Sequence, residues 1–361
     1  MADFSEYTGP SADWIALEPS LPKAPDLPLD QLIQFVNKDR EERAAETMVS
    51  SGYNSKVEIQ DHTVSARDGS TLEARTYRPV GISPSQPLPV YIHLHGGGYV
   101  FGTLASEDAI CSQIVVSQVE KGTPFVVFNL NYRHTPVHRF PAAWDDVEDA
   151  FIWVHEHIRE IGGIGDQVVI GGISAGAQLT AALTLAQLHD KNKKLAAYPK
   201  IRGQVLMIPP VVQMKHYAPR QEMLRSPELS SLVQCAEAPL LPISRIQLFT
   251  KLLEIPGEDG GHRNLRTNPG NATAEEVKDL PPTTFGIAGN DPLRDEALFY
   301  AKLLSENGVP TDVHVFRGVP HAFRRFGDKL SASEYWDRVM NDGIPWALSN
   351  PAAGPFEIKS D

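Results

Sequence analysis

The chain has 361 residues, 42% of them apolar and 22% charged, and 45 acidic against 33 basic residues give a formal net charge of −12. An acidic balance without a Lys/Arg cluster excludes a nucleic-acid groove and a surface for anionic membranes, because both attract positive charge. The length exceeds the usual single-domain mode of about 100 to 150 residues, so one large domain with an elaboration, or two domains, is expected.

The start, Met1-Ala2-Asp3-Phe4-Ser5-Glu6, lacks the basic residues and apolar run of a secretory signal, and no stretch approaches the ~18 apolar residues of a membrane span. Residues 1–30 are loop-like, with Pro10, Pro19, Pro22, Pro25 and Pro28, and a polar helical stretch with few core positions follows from Leu29 to Met48. Val57 to Val64 and Leu72 to Tyr77 alternate apolar and polar residues on either side of Arg67-Asp68-Gly69-Ser70, the pattern of an antiparallel hairpin. Short apolar runs follow at Val90–Leu94, Phe125–Leu130, Val168–Ile170, Val205–Ile208, Thr283–Ile287 and Val313–Phe316, as for a sheet buried on both faces. Between them lie amphipathic helices. The clearest places Val147, Phe151, Val154, Ile158 and Ile161 on one face, with Asp145 and Glu148 fitting an N-terminal cap and its reciprocal partner. Others are expected over about 175–188 and 295–307. Strand and helix in alternation predict a mostly parallel α/β sheet. The Pro- and Leu-rich stretch from about 209 to 271 interrupts the rhythm and is a candidate cap. Two cysteines, Cys111 and Cys235, are too few for a disulfide framework and fit no metal-ligand spacing, so free thiols in a reducing, cytoplasmic compartment are expected.

The strongest local signal is Gly172-Ile173-Ser174-Ala175-Gly176, directly after a strand and directly before a helix. Its three fixed positions alone recur by chance about 0.1 times in such a chain, so the strand and helix around them carry the specificity. A serine at the tip of a strained turn needs glycines where side chains would collide, and the helix N-terminus behind it favours developing negative charge. His95-Gly96-Gly97-Gly98 follows the strand Val90–Leu94. Its amides can approach a ligand closely and, with the N–H of Ala175, would bind the oxyanion of an acyl transfer. A phosphate-cradling loop is the rival reading, but no Lys follows. Asp291 and His321 each stand just past a predicted strand, where open α/β sheets gather their catalytic groups. The order Ser174, Asp291, His321 is that of an α/β-hydrolase triad. Asp295 is a rival to Asp291, but its place suits a cap of the following helix. Tyr99 and Phe101 could line a substrate pocket or fill core space. Arg133 is expected in a structural ion pair. His155 and His157 point to different helix faces, and His93 and His95 lack a third ligand, so no metal site is expected.

These motifs, with Tyr132-Arg133-His134-Thr135-Pro136, Phe140-Pro141-Ala142-Ala143, Asp291-Pro292-Leu293-Arg294-Asp295-Glu296 and Pro320-His321, resemble the hormone-sensitive-lipase-like, HGGG-motif carboxylesterase family of the α/β-hydrolase superfamily. The resemblance spans about residues 56 to 330. It implies an α/β-hydrolase fold with a mostly parallel eight-stranded sheet flanked by helices. It implies Ser174 as nucleophile, His321 as base, Asp291 as its orienting acid and the N–H groups of Gly96, Gly97 and Ala175 as oxyanion hole. It also implies a helical cap built from residues 1–55 and 209–270 over a core made of 56–208 and 271–361. The family often has an acidic residue at the position of Ile173, Gly at that of Ala322 and Leu-Ala at those of His134-Thr135. None of these departures removes a triad atom, though Ile173 removes a possible polar support beside the nucleophile.

The expected activity is that of a serine carboxylic-ester hydrolase acting on small to medium neutral esters, without a cofactor. The same triad would serve an acyltransferase or a lactone-forming or lactone-opening enzyme in metabolite biosynthesis. The family also resembles plant hormone receptors that lack the catalytic histidine, which is present here as His321. The expected partner is a small-molecule ester, with no nucleic acid and no membrane span, and the chain is expected as a monomer or homodimer.

Overall fold

The predicted hairpin forms across Arg67–Ser70, with β1 (Val57–Ser65) and β2 (Thr71–Pro79) antiparallel. This is seen in a computed structural model that describes residues 1–22, 25–190, 193–257 and 261–360. Residues 23–24 and 258–260, within the two expected cap segments, and Asp361 lie outside the described residues. The apolar runs become β3 (Leu88–Leu94), β4 (Val126–Asn131), β5 (Gly163–Ile173), β6 (Gly203–Met207), β7 (Thr283–Asn290) and β8 (Thr311–Pro320). Beyond the eight expected strands a ninth, β9 (Ile358–Ser360), pairs with β8. It is three residues long and follows a Pro- and Gly-containing tail, too short for any periodicity to reveal. The sheet runs β1-β2-β4-β3-β5-β6-β7-β8-β9. β2 is antiparallel to β1 and β4, and every other pairing is parallel.

Alternation along the strands sends side chains to opposite faces. Val90, Ile92 and Leu94 of β3 join one apolar cluster, while Tyr91 joins another. Counting α-helices of six residues or more, the described residues form α1 (Ala12–Leu17), α2 (Leu29–Ser50), α3 (Asp108–Glu120), α4 (Ala142–Glu156), α5 (Ala175–Leu188), α6 (Ile243–Leu253), α7 (Arg294–Glu306) and α8 (Ala332–Leu348). Phe151 of α4 and Leu179 of α5 cover one face, continued by Leu298 of α7. Ile114 of α3 and Trp336 of α8 cover the other.

Two details differ from expectation. α4 ends at Glu156, so Ile158 and Ile161 pack from the following turn instead of from the helix. Asp145 and Glu148 do not cap it. The helix begins after the cis peptide Phe140–Pro141, and both carboxylates instead bind Arg67 and Arg266. Competing guanidinium partners that come from distant segments are invisible to a local pattern. No helix among the described residues is long and apolar enough to cross a membrane.

Candidate active site

Ser174 stands between the end of β5 and the start of α5 with φ 53° and ψ −118°, a conformation costly for a residue with a Cβ. Its N–H donates to the Met207 carbonyl at 2.8 Å, which anchors the turn to β6. A Cβ at Gly172 would overlap the Gly176 backbone, and one at Gly176 would overlap the Leu94 carbonyl. The two glycines are thus required by close backbone approach, and the turn holds the serine hydroxyl out over the sheet's carboxyl edge.

Asp291 follows β7 and His321 follows β8. His321 Nδ1 lies 2.7 Å from Asp291 Oδ2, and His321 Nε2 lies 2.8 Å from Ser174 Oγ. An ionised carboxylate can only accept, so Nδ1 carries the hydrogen and Nε2 is left to accept from the serine hydroxyl. The other Asp291 oxygen accepts from the Leu293 N–H at 3.0 Å, which fixes the carboxylate plane. Asp291 is 1% and His321 5% exposed, whereas Ser174 opens into a cavity of about 730 Å³.

Gly96, Gly97 and Ala175 line that cavity beside Ser174. Ala175 is the first residue of α5, and its N–H has no acceptor within the helix. The glycine loop is held from above and below. From above, α2 supplies Arg40, whose Nη1 donates to the Gly96 carbonyl at 3.1 Å, and Asn37, which accepts from the Gly102 N–H at 2.9 Å. Arg40 Nη2 also meets Glu107 Oε1 at 2.7 Å, and Glu107 Oε2 meets His93 Nε2 at 2.9 Å. Burial alone would raise the Glu107 carboxyl, but the His93 bond and the Arg40 charge bring it down to about 2. From below, Tyr132 donates to the His95 carbonyl at 2.7 Å and stacks on the His95 ring at 4.3 Å. Burial pushes His95 down to about 4, so it stays neutral as a packed support.

Tyr99 and Phe101 both reach the cavity wall. Tyr99 donates to Gln178 Oε1 at 3.1 Å and stacks on Trp144 at 5.1 Å, and Phe101 meets Phe249 of α6 edge-on at 6.0 Å. Ile173 faces the cavity too, so the wall beside the nucleophile is apolar where an acid would make it polar.

Asp295 is not the helix cap expected of it. It is fully buried, pairs with Arg294 Nε at 2.7 Å and accepts from the Ser231 N–H at 2.7 Å. Arg294 reaches on to Thr8 and to Gln234, so this buried pair ties the N-terminal segment and the stretch after β6 to the sheet. Arg133 makes its ion pairs with Asp146 and Asp68. Among the described residues no group of three or more His, Cys, Asp or Glu could hold a metal ion. Sequence reasoning missed Arg40, Asn37 and Glu107. The sparse apolar positions of α2 hinted at a polar role, but nothing local marks Glu107 as buried.

Against known proteins, a family described by the alpha/beta hydrolase fold matches residues 91–325. "Esterase LipI" of Mycobacterium tuberculosis is 32% identical over 265 residues, covering 73% of this chain and 74% of the relative. "Carboxylesterase NlhH" of the same species is 31% identical over 291 residues, covering 77% and 82%. The solved structure of vibralactone cyclase superposes with a TM-score of 0.83 at 22% identity, covering 95% of this chain and 96% of its own, a likeness of fold. On the family match and the identity to these relatives, the chain belongs to the hormone-sensitive-lipase-like family of α/β-hydrolases.

Proposed function

We propose that the protein is a serine carboxylesterase that hydrolyses small to medium esters through an acyl-enzyme on Ser174. The observation that carries this reading is the unbroken hydrogen-bond run from Asp291 through His321 to Ser174, ending at a hydroxyl that faces the cavity beside the glycine loop. The esterase names of the relatives point the same way. In this reading Ser174 Oγ attacks the ester carbonyl as His321 Nε2 takes its proton, and Asp291 steadies the imidazolium that forms. The N–H groups of Gly96, Gly97 and Ala175 hold the oxyanion. His321 then gives the proton to the leaving alcohol, and water repeats the cycle on the acyl-enzyme.

Residues 1–55 and 209–270 are read as one cap over a core of 56–208 and 271–361. In support, α2 and α6 both line the cavity, and Arg294 and Asp295 bind segments of both stretches. The thiols of Cys111 and Cys235, unpaired and buried, support a reducing compartment, the cytoplasm.

The test is hydrolysis of p-nitrophenyl esters from acetate to decanoate, with Ser174→Ala lowering kcat by roughly 10⁴ to 10⁶. Robust turnover by Ser174→Ala would sink the assignment. Running the panel with acceptor alcohols separates hydrolysis from acyl transfer.

A further inference from the structure

The cavity that holds Ser174 and His321 carries five arginines on its wall, Arg40, Arg43, Arg245, Arg324 and Arg325, against two glutamates, Glu46 and Glu107. The chain as a whole carries −12, so the wall is opposite in sign to the chain's net charge. What matters is how much of that positive charge is already matched. Arg40 is held by Glu107 at 2.7 Å, and Arg324 by Asp337 through two bonds of 2.6 Å. Arg43 and Arg325 share a single carboxylate, Asp39, at 2.8 and 3.4 Å. Arg245, on α6, has no ion pair or side-chain hydrogen bond among the described residues, and exposed Glu46 has no ion pair among them either. Burial, together with the nearby guanidiniums of Arg43, Arg40 and Arg245, pulls Arg325 below its ordinary value, and Asp39 only partly opposes this.

The positive group is therefore left with more charge than its own carboxylates cancel. It is contributed by three segments: α2, α6 and the turn after His321. The same cavity presents Phe101, Leu241, Ile246 and Phe249. A ligand that suits both features is apolar along its length and anionic at one end. Guanidinium forks match a carboxylate in geometry and charge.

We propose that the preferred substrate is an ester whose acid or alcohol part ends in a carboxylate, received by Arg245 and Arg325 while the ester carbonyl lies at Ser174. This rests on the esterase reading above. The bond that reacts stays neutral, and the selectivity comes from the far end.

The test compares matched pairs with the full-length protein. For the acid side, p-nitrophenyl half-esters of succinate, adipate, suberate and sebacate are set against the same compounds capped as methyl esters, reading p-nitrophenolate. For the alcohol side, acetylated 6-hydroxyhexanoate is set against its methyl ester, reading acetate. In at least one series the free carboxylate should raise kcat/KM by about 10- to 100-fold, the range of a charge-assisted hydrogen bond. That ratio should fall towards one in Arg245→Met and in Arg325→Met, and should shrink as NaCl rises towards 1 M. Turnover of the capped esters reports that the variants are folded. A ratio near one in both series overturns the proposal, as does a raised ratio that neither variant lowers. Failure to cleave any ester, capped or free, overturns the esterase reading itself and the proposal with it.

Discussion

The floor of the cavity and its roof are held by different means. On the floor, Ser174, Asp291 and His321 stand at the carboxyl ends of β5, β7 and β8, in a sheet covered on both faces, with Ser174 and Asp291 fixed by further backbone bonds and His321 held between them. On the roof, the 22-residue α2 fully buries only Ala44 and Met48, and α6 fully buries only Leu253. These two helices meet the rest mainly through polar contacts, among them Arg40 to Gly96 and Asn37 to Gly102, while the segments flanking them are anchored by buried Trp14 and Tyr217 and by the buried Arg294–Asp295 pair. Chemistry needs positions set to a fraction of an ångström, and a close-packed sheet supplies them. Selectivity can be set by elements with few buried contacts, which are also the elements that open most easily.

The sharpest way to break this division is at two carboxylates four residues apart. Asp291→Asn on the floor should lower kcat by about 10⁴, by presenting His321 in the wrong tautomer, while the midpoint of thermal unfolding hardly moves. Asp295→Asn should do the reverse. It leaves the Arg294 guanidinium buried without its partner, at a cost of roughly 3 to 5 kcal/mol in stability. Urea unfolding and ester turnover on both variants decide the matter, and a loss of activity in Asp295→Asn at full stability would make Asp295 the orienting acid.

Acid sensitivity should also belong to the floor. Glu107 is buried and sits at about 2 against an ordinary 4.5. A depressed carboxyl contributes stability that is complete above the ordinary value and is lost as pH falls through the folded one, here about 3 kcal/mol. His95, held at about 4 against 6.5, resists a proton that the unfolded chain accepts, so its contribution of similar size is lost between about pH 6.5 and 4. Unfolding free energy should therefore decline as pH falls from about 6.5, through His95 first and through Glu107 below about 4.5. Glu107→Gln should flatten the lower part only.

A third change probes the seam between roof and floor. Arg40→Met removes the bond to the Gly96 carbonyl and one of the three side-chain partners of Glu107. If the roof steadies the oxyanion loop, kcat should fall by about 10²-fold, the cost of a small displacement at the reacting centre, with KM nearly unchanged. A rise in KM alone would mean that Arg40 shapes the pocket without steadying the loop.

Legibility in the sequence followed the same division. The strands β1 to β8, with their hairpin, and the helices α5 and α7 were readable because burial imposes a period on the residues themselves. The meeting of Ser174, His321 and Asp291 was readable because each follows a strand end and the glycines around Ser174 answer to a collision. The roof was not. Arg40, Glu107 and Asp295 work through partners 67, 67 and 64 positions away in the chain, and no local pattern encodes such a distance. The overall charge carried no such information either, since a sum over the whole chain says nothing of the five arginines on one wall.

The smallest expected effect concerns Ala322, beside His321 and on the cavity wall. The departure from glycine was visible in the sequence, but its physical meaning lies in the backbone, which sits at φ 60° and ψ 20°. A residue with a Cβ pays about 1 to 2 kcal/mol in that region. Glycine avoids this, yet it gives the unfolded chain more freedom, worth about 0.4 to 1 kcal/mol in the other direction. The balance favours Ala322→Gly by about 0.5 kcal/mol, and Ala322→Val, with its branched Cβ, should be the less stable by more than that. If His321 is steadied by its bonds to Asp291 and Ser174 rather than by the residue after it, ester turnover of Ala322→Gly should stay within about twofold of the parent. A large fall in kcat with stability raised would show that the strained turn itself positions the imidazole, and the floor would then depend on a conformation that the sheet alone does not impose.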